Sequence, residues 1–199
     1  IFNKKYPPVL IAEISANHNG SIKKAKKLIL TAKKNGADLV KLQTYEPRNM
    51  TINSSRKDFL VKDGLWKGYK LWDLYEKAQT PLRWQKELFD YSKKIGIPCF
   101  STPYDDEGVN LLKKLNSKLY KISSFEMKDS SLVKRICKIG KPVIISTGLA
   151  NMREISEVYK HAKKSGCKKL ILLYCVSSYP AKNTDFNLNN IDILKKKFK

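Results

Sequence analysis

Two lysines interrupt apolar stretches that otherwise have the composition of buried strands. Lys41 lies in LVKLQT and Lys121 lies in LYKISS, each near the end of its apolar run. A buried ammonium group without a counter-charge is costly, so each lysine must meet a carboxylate, a bound anion or a metal-bound ligand. The two cations are therefore candidates for holding the phosphate or carboxylate of a small substrate.

Hydroxyl side chains occupy the same relative place at the ends of other apolar runs. Hydroxyls donate hydrogen bonds of fixed direction, which complement the charge that lysines supply to an anion. The hydroxyl residues of this predicted anion site are Thr102, Ser124, Ser146 and Ser177. The alternative interpretation is structural, with the lysines forming salt bridges to Glu13 and Glu126 inside the fold.

A carboxylate ends the first apolar run, VLIAEIS, just before the polar segment SANHNG. This residue, Glu13, could orient a substrate hydroxyl, or act as an acid or base if burial raises its pKa. His18 lies in the polar segment, where a role in the loop and a direct role both stay open. The only other histidine is His161, so the chain cannot build a histidine-rich metal site alone.

The elements that position these residues follow a repeated pattern of amphipathic helix, glycine and apolar strand. The pattern predicts strands near residues 8–14, 38–43, 97–102, 118–123, 142–146 and 170–175. It predicts helices near residues 21–35, 82–95, 105–115, 129–139, 151–165 and 188–198. Strands that alternate with helices in this way form a parallel sheet.

We expect this sheet to be part of a (β/α)8 barrel. In such a barrel, polar residues at the carboxyl ends of the strands line one rim, where the active site lies. A doubly wound open sheet would show the same alternation, but no GxGxxG motif follows the first strand. The predicted fold class is therefore α/β, a TIM barrel with about six of its eight strand–helix units.

The segment 44–80 interrupts the repeat and contains several aromatic residues, namely Trp66, Tyr69, Trp72 and Tyr75. A long excursion after a barrel strand is usually functional, so we predict a lid or a binding loop. A short helix packed on the outer surface of the barrel is a compatible structural alternative.

The formal net charge of +22 at first suggests a polyanionic partner. Lysine supplies nearly all of the positive charge, whereas arginine is preferred for recognising the phosphates and bases of nucleic acids. We therefore expect no nucleic-acid partner. No apolar run approaches the roughly 20 residues of a membrane span, so we expect no membrane partner and a cytoplasmic location.

Two other functions remain open from the residues alone, besides an enzyme that binds an anionic substrate. A Schiff-base aldolase or lyase would use Lys41 or Lys121 as an amine that attacks a ketone. A basic nucleic-acid-binding module would instead use surface lysines, and its affinity would fall steeply with salt.

Six motifs resemble, in order and spacing, those of the sialic acid synthase family. They are IAEISANHNG, GADLVKLQT, FSTPYD, YKISSFE, KPVIISTG and YCVSSYP, and the resemblance extends from about Val9 to Phe198. The insertion GLWKGYKLWDLYEKAQTP, together with SSYP, is more similar to the pseudaminic acid synthase branch than to the N-acetylneuraminate branch.

This resemblance implies a TIM barrel followed by a small antifreeze-like (SAF) domain, assembled as a homodimer. It implies a transferase that condenses phosphoenolpyruvate with an N-acetylated amino-sugar aldehyde, forming a nine-carbon α-keto acid and phosphate. It also implies a divalent metal, Mn²⁺ or Mg²⁺, that polarises the aldehyde. Synthesis of N-acetylneuraminate or legionaminic acid is the alternative to that of pseudaminic acid.

The resemblance also assigns roles to residues. It implies that phosphoenolpyruvate is bound by Lys41, Thr102, Lys121, Ser124, Ser146 and Ser177. It implies that the sugar or the reacting centre is faced by Glu13, Gln43, Glu126 and Tyr179. The expected catalytic residues are Glu13, Lys41 and Lys121, with Glu13 handling protons and positioning water. Two positions depart from the family, because Ser177 replaces an asparagine, a change shared with the pseudaminic branch, and Ser15 replaces a glycine.

The family's metal-binding histidines, its last two strands and its antifreeze-like domain would all lie beyond Lys199. We therefore expect no metal ligand in this chain and interpret residues 1–199 as a partial synthase domain. Because an unclosed barrel exposes the edges of its strands, we expect the isolated chain to be inactive and poorly folded.

Overall fold

The computed structural model describes residues 7–198. The chain divides into two compact units, Ile1–Ser117 and Lys118–Lys199. The predicted outer boundaries of the synthase domain, at residues 1 and 199, lie outside the described residues. Among residues 7–198, no helix is long and apolar enough to cross a membrane.

The first unit contains three parallel strands, β1 (Ile11–Glu13), β2 (Leu39–Thr44) and β3 (Cys99–Pro103). Its helices are α1 (Ile22–Lys34), α2 (Pro47–Met50), α3 (Leu71–Ala78), α4 (Leu82–Lys94) and α5 (Asp106–Lys114), and a 3-10 turn spans Lys57–Phe59. The register places Glu13 beside Lys41 and Gln43 beside Thr102.

The second unit repeats the pattern with strands β4 (Tyr120–Ile122), β5 (Val143–Ser146) and β6 (Leu170–Leu173), again parallel. Its helices are α6 (Ser130–Cys137), α7 (Met152–Lys164) and α8 (Asn190–Lys197), with 3-10 turns at Glu126–Lys128 and Asn183–Asp185. All four residues of β5 are buried, as expected for a central parallel strand.

Local sequence signals explain where the helices begin and end. The Ser21 side chain accepts a hydrogen bond from the Lys24 amide at the start of α1, and Asn151 forms a capping box with Glu154 at the start of α7. Gly166 follows α7 with φ of 93°, a left-handed conformation that glycine adopts without strain.

The core of the first unit lies between its sheet and two helices. Val40 and Leu42 of β2 pack with Ile29 of α1 and Leu88 of α4, and all four are fully buried. Because successive side chains of a strand point to opposite faces, Lys41 and Gln43 lie on the face away from these helices. The apolar half of β2 thus fixes the orientation of its polar half.

The structure confirms the six predicted strands and the six predicted helices, with bounds that differ by a few residues. The largest difference is β1, which begins at Ile11 rather than near residue 8. Segment 44–80 contains α2, the first 3-10 turn and α3, and an isolated antiparallel bridge joins Leu60 to Lys70. The short helix predicted there is α3, whereas the lid role stays a prediction.

Candidate active site

Three of the predicted site residues in the first unit contact one another. Lys41 forms an ion pair with Glu13, its neighbour across the β1–β2 register. The Lys41 Nζ also donates to the Thr102 Oγ1 at 3.4 Å. The Lys41 side chain is 12% exposed and that of Glu13 is 41% exposed. The cation is therefore held near one end of the strands by a carboxylate that is itself open to solvent.

This ion pair confirms the structural alternative for Lys41, since the lysine does meet Glu13. It leaves the predicted anion-binding role open, because Lys41 has three donors and the carboxylate takes only part of them. The pair also makes the Lys41 amine a poor candidate for attack on a ketone, because its nitrogen is engaged by the carboxylate.

Gln43 lies one pleat further along β2, on the same face as Lys41. Its Nε2 donates to the Tyr104 hydroxyl at 3.3 Å, and its backbone carbonyl accepts from the buried Gln85 side chain at 2.8 Å. Tyr104 was not predicted as a site residue. Its signal in the sequence is an aromatic residue directly after the polar end of a strand, in FSTPYD.

Two hydroxyls near the strand ends, those of Thr44 and Ser101, have a structural role. The Thr44 Oγ1 and the Ser101 Oγ lie 2.7 Å apart, and both side chains are fully buried. In the register these residues belong to the face that carries Leu42, opposite Lys41 and Thr102. Alternation along the strand therefore separates Ser101 from the adjacent candidate, Thr102.

The loop after β1 has an unusual backbone. Ser15 has φ of 45° and Asn19 has φ of 46°, both in the left-handed region. The Ser15 amide donates to the Glu13 Oε1 at 3.1 Å, so the turn holds the carboxylate that it follows. This conformation favours glycine, which gives a physical reason for the glycine that the related motif carries at position 15.

In the second unit, Gly148 brings two of the predicted hydroxyls together. Its amide donates to the Ser124 Oγ at 3.1 Å. A Cβ added at Gly148 would collide with the Ser177 Oγ and would lie 2.9 Å from the Cys175 carbonyl oxygen. Sequence analysis missed Gly148, although the glycine in VIISTG follows the polar end of β5 directly.

The remaining predicted residues of this unit differ in their environment. Ser146 is buried, and the register places it on the same face as Lys121. Tyr179 is 73% exposed, and its predicted contact with the sugar stays a prediction. It precedes Pro180 in a connection that follows β6, where no strand fixes its direction.

Glu126 is the most unusual ionisable group of the second unit. Its Oε2 is buried and has no hydrogen-bond partner within the part of the chain that the structure describes, and the same holds for the Ser123 Oγ. Burial raises the pKa of the Glu126 carboxyl, while the positive charge of Lys121 acts in the opposite direction. The salt bridge between Lys121 and Glu126 stays a prediction.

The described residues do not supply a metal site. Among residues 7–198, no group of three or more histidine, cysteine, aspartate or glutamate side chains is arranged to hold a metal ion.

Comparisons with known proteins identify the family of this chain. The NeuB family model matches residues 28–199. Pseudaminic acid synthase from Campylobacter jejuni is 44% identical over 197 residues, covering 99% of this chain and 57% of that protein. The enzyme of that name from Helicobacter pylori is 41% identical over 182 residues, covering 92% and 54%. The chain thus spans little more than half the length of these curated relatives.

Other relatives are less similar. N,N'-diacetyllegionaminic acid synthase from C. jejuni is 38% identical over 194 residues, which are 96% of this chain and 58% of that protein. N-acetylneuraminic acid synthetase from Leptospira borgpetersenii, a solved structure, superposes with a TM-score of 0.84 at 30% identity. The match covers 97% of this chain and 62% of that one.

The structural match confirms the predicted fold class, an α/β fold with six of the eight strand–helix units of a TIM-type barrel. A DAHP synthase from Thermotoga maritima shares the fold at a TM-score of 0.58 and 12% identity. The resemblance predicted from the six motifs is likewise confirmed, and the chain belongs to the NeuB family.

Proposed function

We propose that the protein containing this chain condenses phosphoenolpyruvate with an N-acetylated amino-sugar aldehyde. The products are a nine-carbon α-keto acid and phosphate, and the proposed activity is that of a pseudaminic acid synthase. The observation that carries the proposal is the Glu13–Lys41–Thr102 cluster in a chain 44% identical to a pseudaminic acid synthase. A cation and a hydroxyl converge there beside a carboxylate that could manage protons.

We assign contacts with phosphoenolpyruvate to each unit separately. In the first unit, the Lys41 ammonium and the Thr102 hydroxyl would hold the anion. In the second unit the same role falls to Lys121, Ser124, Ser146 and Ser177. Fixed donors of this kind stabilise charge without reorganising, which is where most of the rate enhancement of such sites originates.

The proposed chemistry balances with one water molecule. The C2–C3 π electrons of phosphoenolpyruvate attack the aldehyde carbon and form the new carbon–carbon bond, while the C=O π bond breaks and the carbonyl oxygen takes up a proton to become a hydroxyl. Water adds at C2, and the tetrahedral intermediate then loses phosphate by cleavage of the C–O bond. We assign to Glu13 the positioning of the water and the removal of its proton, because the carboxylate is 41% exposed and oriented by Lys41 and the Ser15 amide.

The proposal also covers the sugar, the metal and the assembly of the whole protein. Gln43, Glu126 and Tyr179 are assigned to the sugar, and segment 44–80 is assigned the role of a lid. A divalent metal, Mn²⁺ or Mg²⁺, is expected to be bound by residues beyond Lys199. We also propose a cytoplasmic homodimer that acts on small molecules and uses neither nucleic acid nor a membrane as a partner.

The direct test is phosphate release by the full-length protein. The assay would supply phosphoenolpyruvate with the pseudaminic, legionaminic or neuraminate precursor sugar, with and without a chelator. We expect the pseudaminic precursor to give the highest kcat/KM and Lys121→Ala to abolish turnover. Most activity remaining in Lys121→Ala would remove that lysine from the site, and a covalent adduct after borohydride treatment would support an aldolase instead.

A further inference from the structure

His18 is a buried histidine to which the proposed reaction assigns no role. Its side chain is fully buried in the loop between β1 and α1. The Gly20 amide donates to the His18 Nδ1 at 3.1 Å. Since Nδ1 is therefore an acceptor, Nε2 carries the hydrogen of the neutral ring, and it donates to the Thr80 Oγ1 at 3.2 Å. Two contacts thus fix a single tautomer.

Thr80, the partner of His18, lies 62 positions further along the chain, within the first unit. It is 1% exposed and ends segment 44–80, between α3 and α4. The ring of His18 also meets Trp84 of α4 edge-on, with centroids 5.5 Å apart. The His18 side chain therefore joins the β1–α1 loop to the end of segment 44–80 and to α4, the helix that follows it.

The β1–α1 loop needs such support. Ser15 and Asn19 occupy left-handed conformations, which are unfavourable for residues with a side chain and persist only when surrounding contacts hold them. The same loop holds Glu13, through the Ser15 amide at 3.1 Å from Oε1. A change in the loop would therefore move the carboxylate that is paired with Lys41.

We propose that His18 is a positioning residue that couples segment 44–80 to the Glu13 carboxylate. It acts through its hydrogen bond to Thr80 at one end and through the backbone of its own loop at the other. The inference rests on the proposed function only for the consequence of moving Glu13. The coupling itself is a property of the first unit and can be measured without turnover.

The test uses the full-length protein with Thr80→Val, which removes the acceptor of His18 and nearly preserves the volume of the side chain. Thr80→Ser keeps the hydroxyl and serves as the rescue variant. His161→Asn is the matched control, because the asparagine side chain is too short to replace the bond from Nε2 to the Ser130 carbonyl, at 2.9 Å in the second unit. Amide hydrogen exchange is measured for peptides covering 14–21 and 44–80.

We expect Thr80→Val to speed exchange in both segments by roughly tenfold, the effect of losing one buried hydrogen bond. His18→Asn, which can keep an acceptor near Nδ1 but is too short to reach Thr80, should do the same, and the double variant should add little to either single change. Thr80→Ser should behave like the unmodified protein, and His161→Asn should leave both segments unchanged. Faster exchange in only one segment, or additive effects in the double variant, would overturn the coupling.

Steady-state kinetics then test the consequence for Glu13. If the coupling positions the carboxylate, Thr80→Val should lower kcat several-fold, while His161→Asn with a similar loss of Tm should not. Equal losses of kcat in both variants would show that His18 contributes only stability. A full-length protein without any synthase activity would refute the proposed function, yet the exchange data would still decide the coupling.

Discussion

The polar groups at the strand ends of the two units are satisfied in different ways. In the first unit, Lys41 is bonded to Glu13 and Thr102, and Gln43 is bonded to Tyr104. In the second unit, the Glu126 Oε2 and the Ser123 Oγ are buried without a partner in the described part of the chain. Each of these groups in the first unit thus has a protein partner, and Lys41 keeps donor capacity for a ligand, whereas Glu126 and Ser123 in the second unit have polar atoms for which water or a ligand must compensate.

The energetic consequence differs accordingly. A buried polar atom left without a partner costs about 1–3 kcal/mol, whereas a half-exposed ion pair contributes at most about 1 kcal/mol. Replacing a group of the first unit should therefore affect activity more than stability. Replacing Glu126 in the second unit should instead change stability, and in the favourable direction.

Lys41→Met gives the largest expected effect and tests the first half of this comparison. The change removes the cation but keeps an apolar stem of similar length. We expect kcat/KM to fall by about 10²–10³-fold, as for the loss of one preorganised electrostatic group. The free energy of unfolding should change by less than about 1 kcal/mol, because Glu13 stays solvated.

The control is Lys26→Met, which removes the ion pair between Lys26 and Glu87 on the outer helices of the same unit. Steady-state phosphate release and urea unfolding, measured on both full-length variants, separate the two contributions. A large loss of stability with little loss of activity in Lys41→Met would mean that the Glu13 pair is structural only.

Gly148→Ala is expected to be the most harmful small change in the second unit. The added methyl group would overlap the Ser177 Oγ and approach the backbone carbonyl of Cys175, which cannot rotate away. Overpacking of this kind costs about 1–3 kcal/mol, and it should also displace the hydroxyls of Ser124 and Ser177. Urea unfolding and the KM for phosphoenolpyruvate would both report it.

Gly36→Ala provides the contrast, because nothing lies within 4 Å of the added Cβ there, but its φ of 85° remains unfavourable for alanine. It should lower stability without changing that KM. Equal KM values for phosphoenolpyruvate in Gly148→Ala and Gly36→Ala would show that Gly148 has no role in binding that substrate.

Strand and helix positions were predictable because they depend on local pattern. The glycine after each amphipathic helix and the apolar run after each glycine predicted β2, β3 and β5 within two residues. The pairing of Lys41 with Glu13 also follows from pattern, since two polar residues at the ends of adjacent parallel strands are brought side by side by the register.

Contacts across long sequence separations were not predictable in the same way. The bond from His18 to Thr80 joins residues 62 positions apart, and nothing in either local sequence specifies it. The exposure of Tyr179 is similar, because its segment follows β6 without a regular element to fix its direction. Ser101 and Thr102 are adjacent hydroxyl residues whose side chains point to opposite faces of the sheet. The sequence alone does not show which of the two faces the site, because that depends on the pairing of β3 with β2.

Glu126→Gln tests the second half of the comparison through pH. Burial raises the pKa of Glu126, so the folded protein binds its proton more tightly than the unfolded chain does. That contribution to stability is present below the ordinary pKa of glutamate and is lost as the pH rises through the raised value. Glu126→Gln lacks this loss, because the amide stays neutral.

We therefore expect Glu126→Gln to be more stable than the unmodified protein at about pH 7, by up to about 1–3 kcal/mol, and equally stable near about pH 4. Urea unfolding at the two pH values measures the difference. Glu107→Gln, an exposed carboxylate of the first unit, is the control. A stability gain that does not depend on pH would show that the Glu126 carboxylate is compensated after all.

Ser15→Gly is expected to have the smallest effect. It tests the backbone strain of the first unit, which is a different energetic cost from a buried polar atom without a partner. With φ of 45°, Ser15 is in the left-handed region, which costs a non-glycine residue about 1 kcal/mol or more. Glycine relieves that strain but gains entropy in the unfolded chain, so the net stabilisation should be a few tenths up to about 1 kcal/mol. Asn19→Gly, at φ of 46°, is the matched variant and should gain less, because asparagine tolerates this region better than serine. If Ser15→Gly were instead destabilising in urea unfolding, the serine hydroxyl would have to make a contact that outweighs the backbone strain, and the loop that holds Glu13 would depend on that side chain.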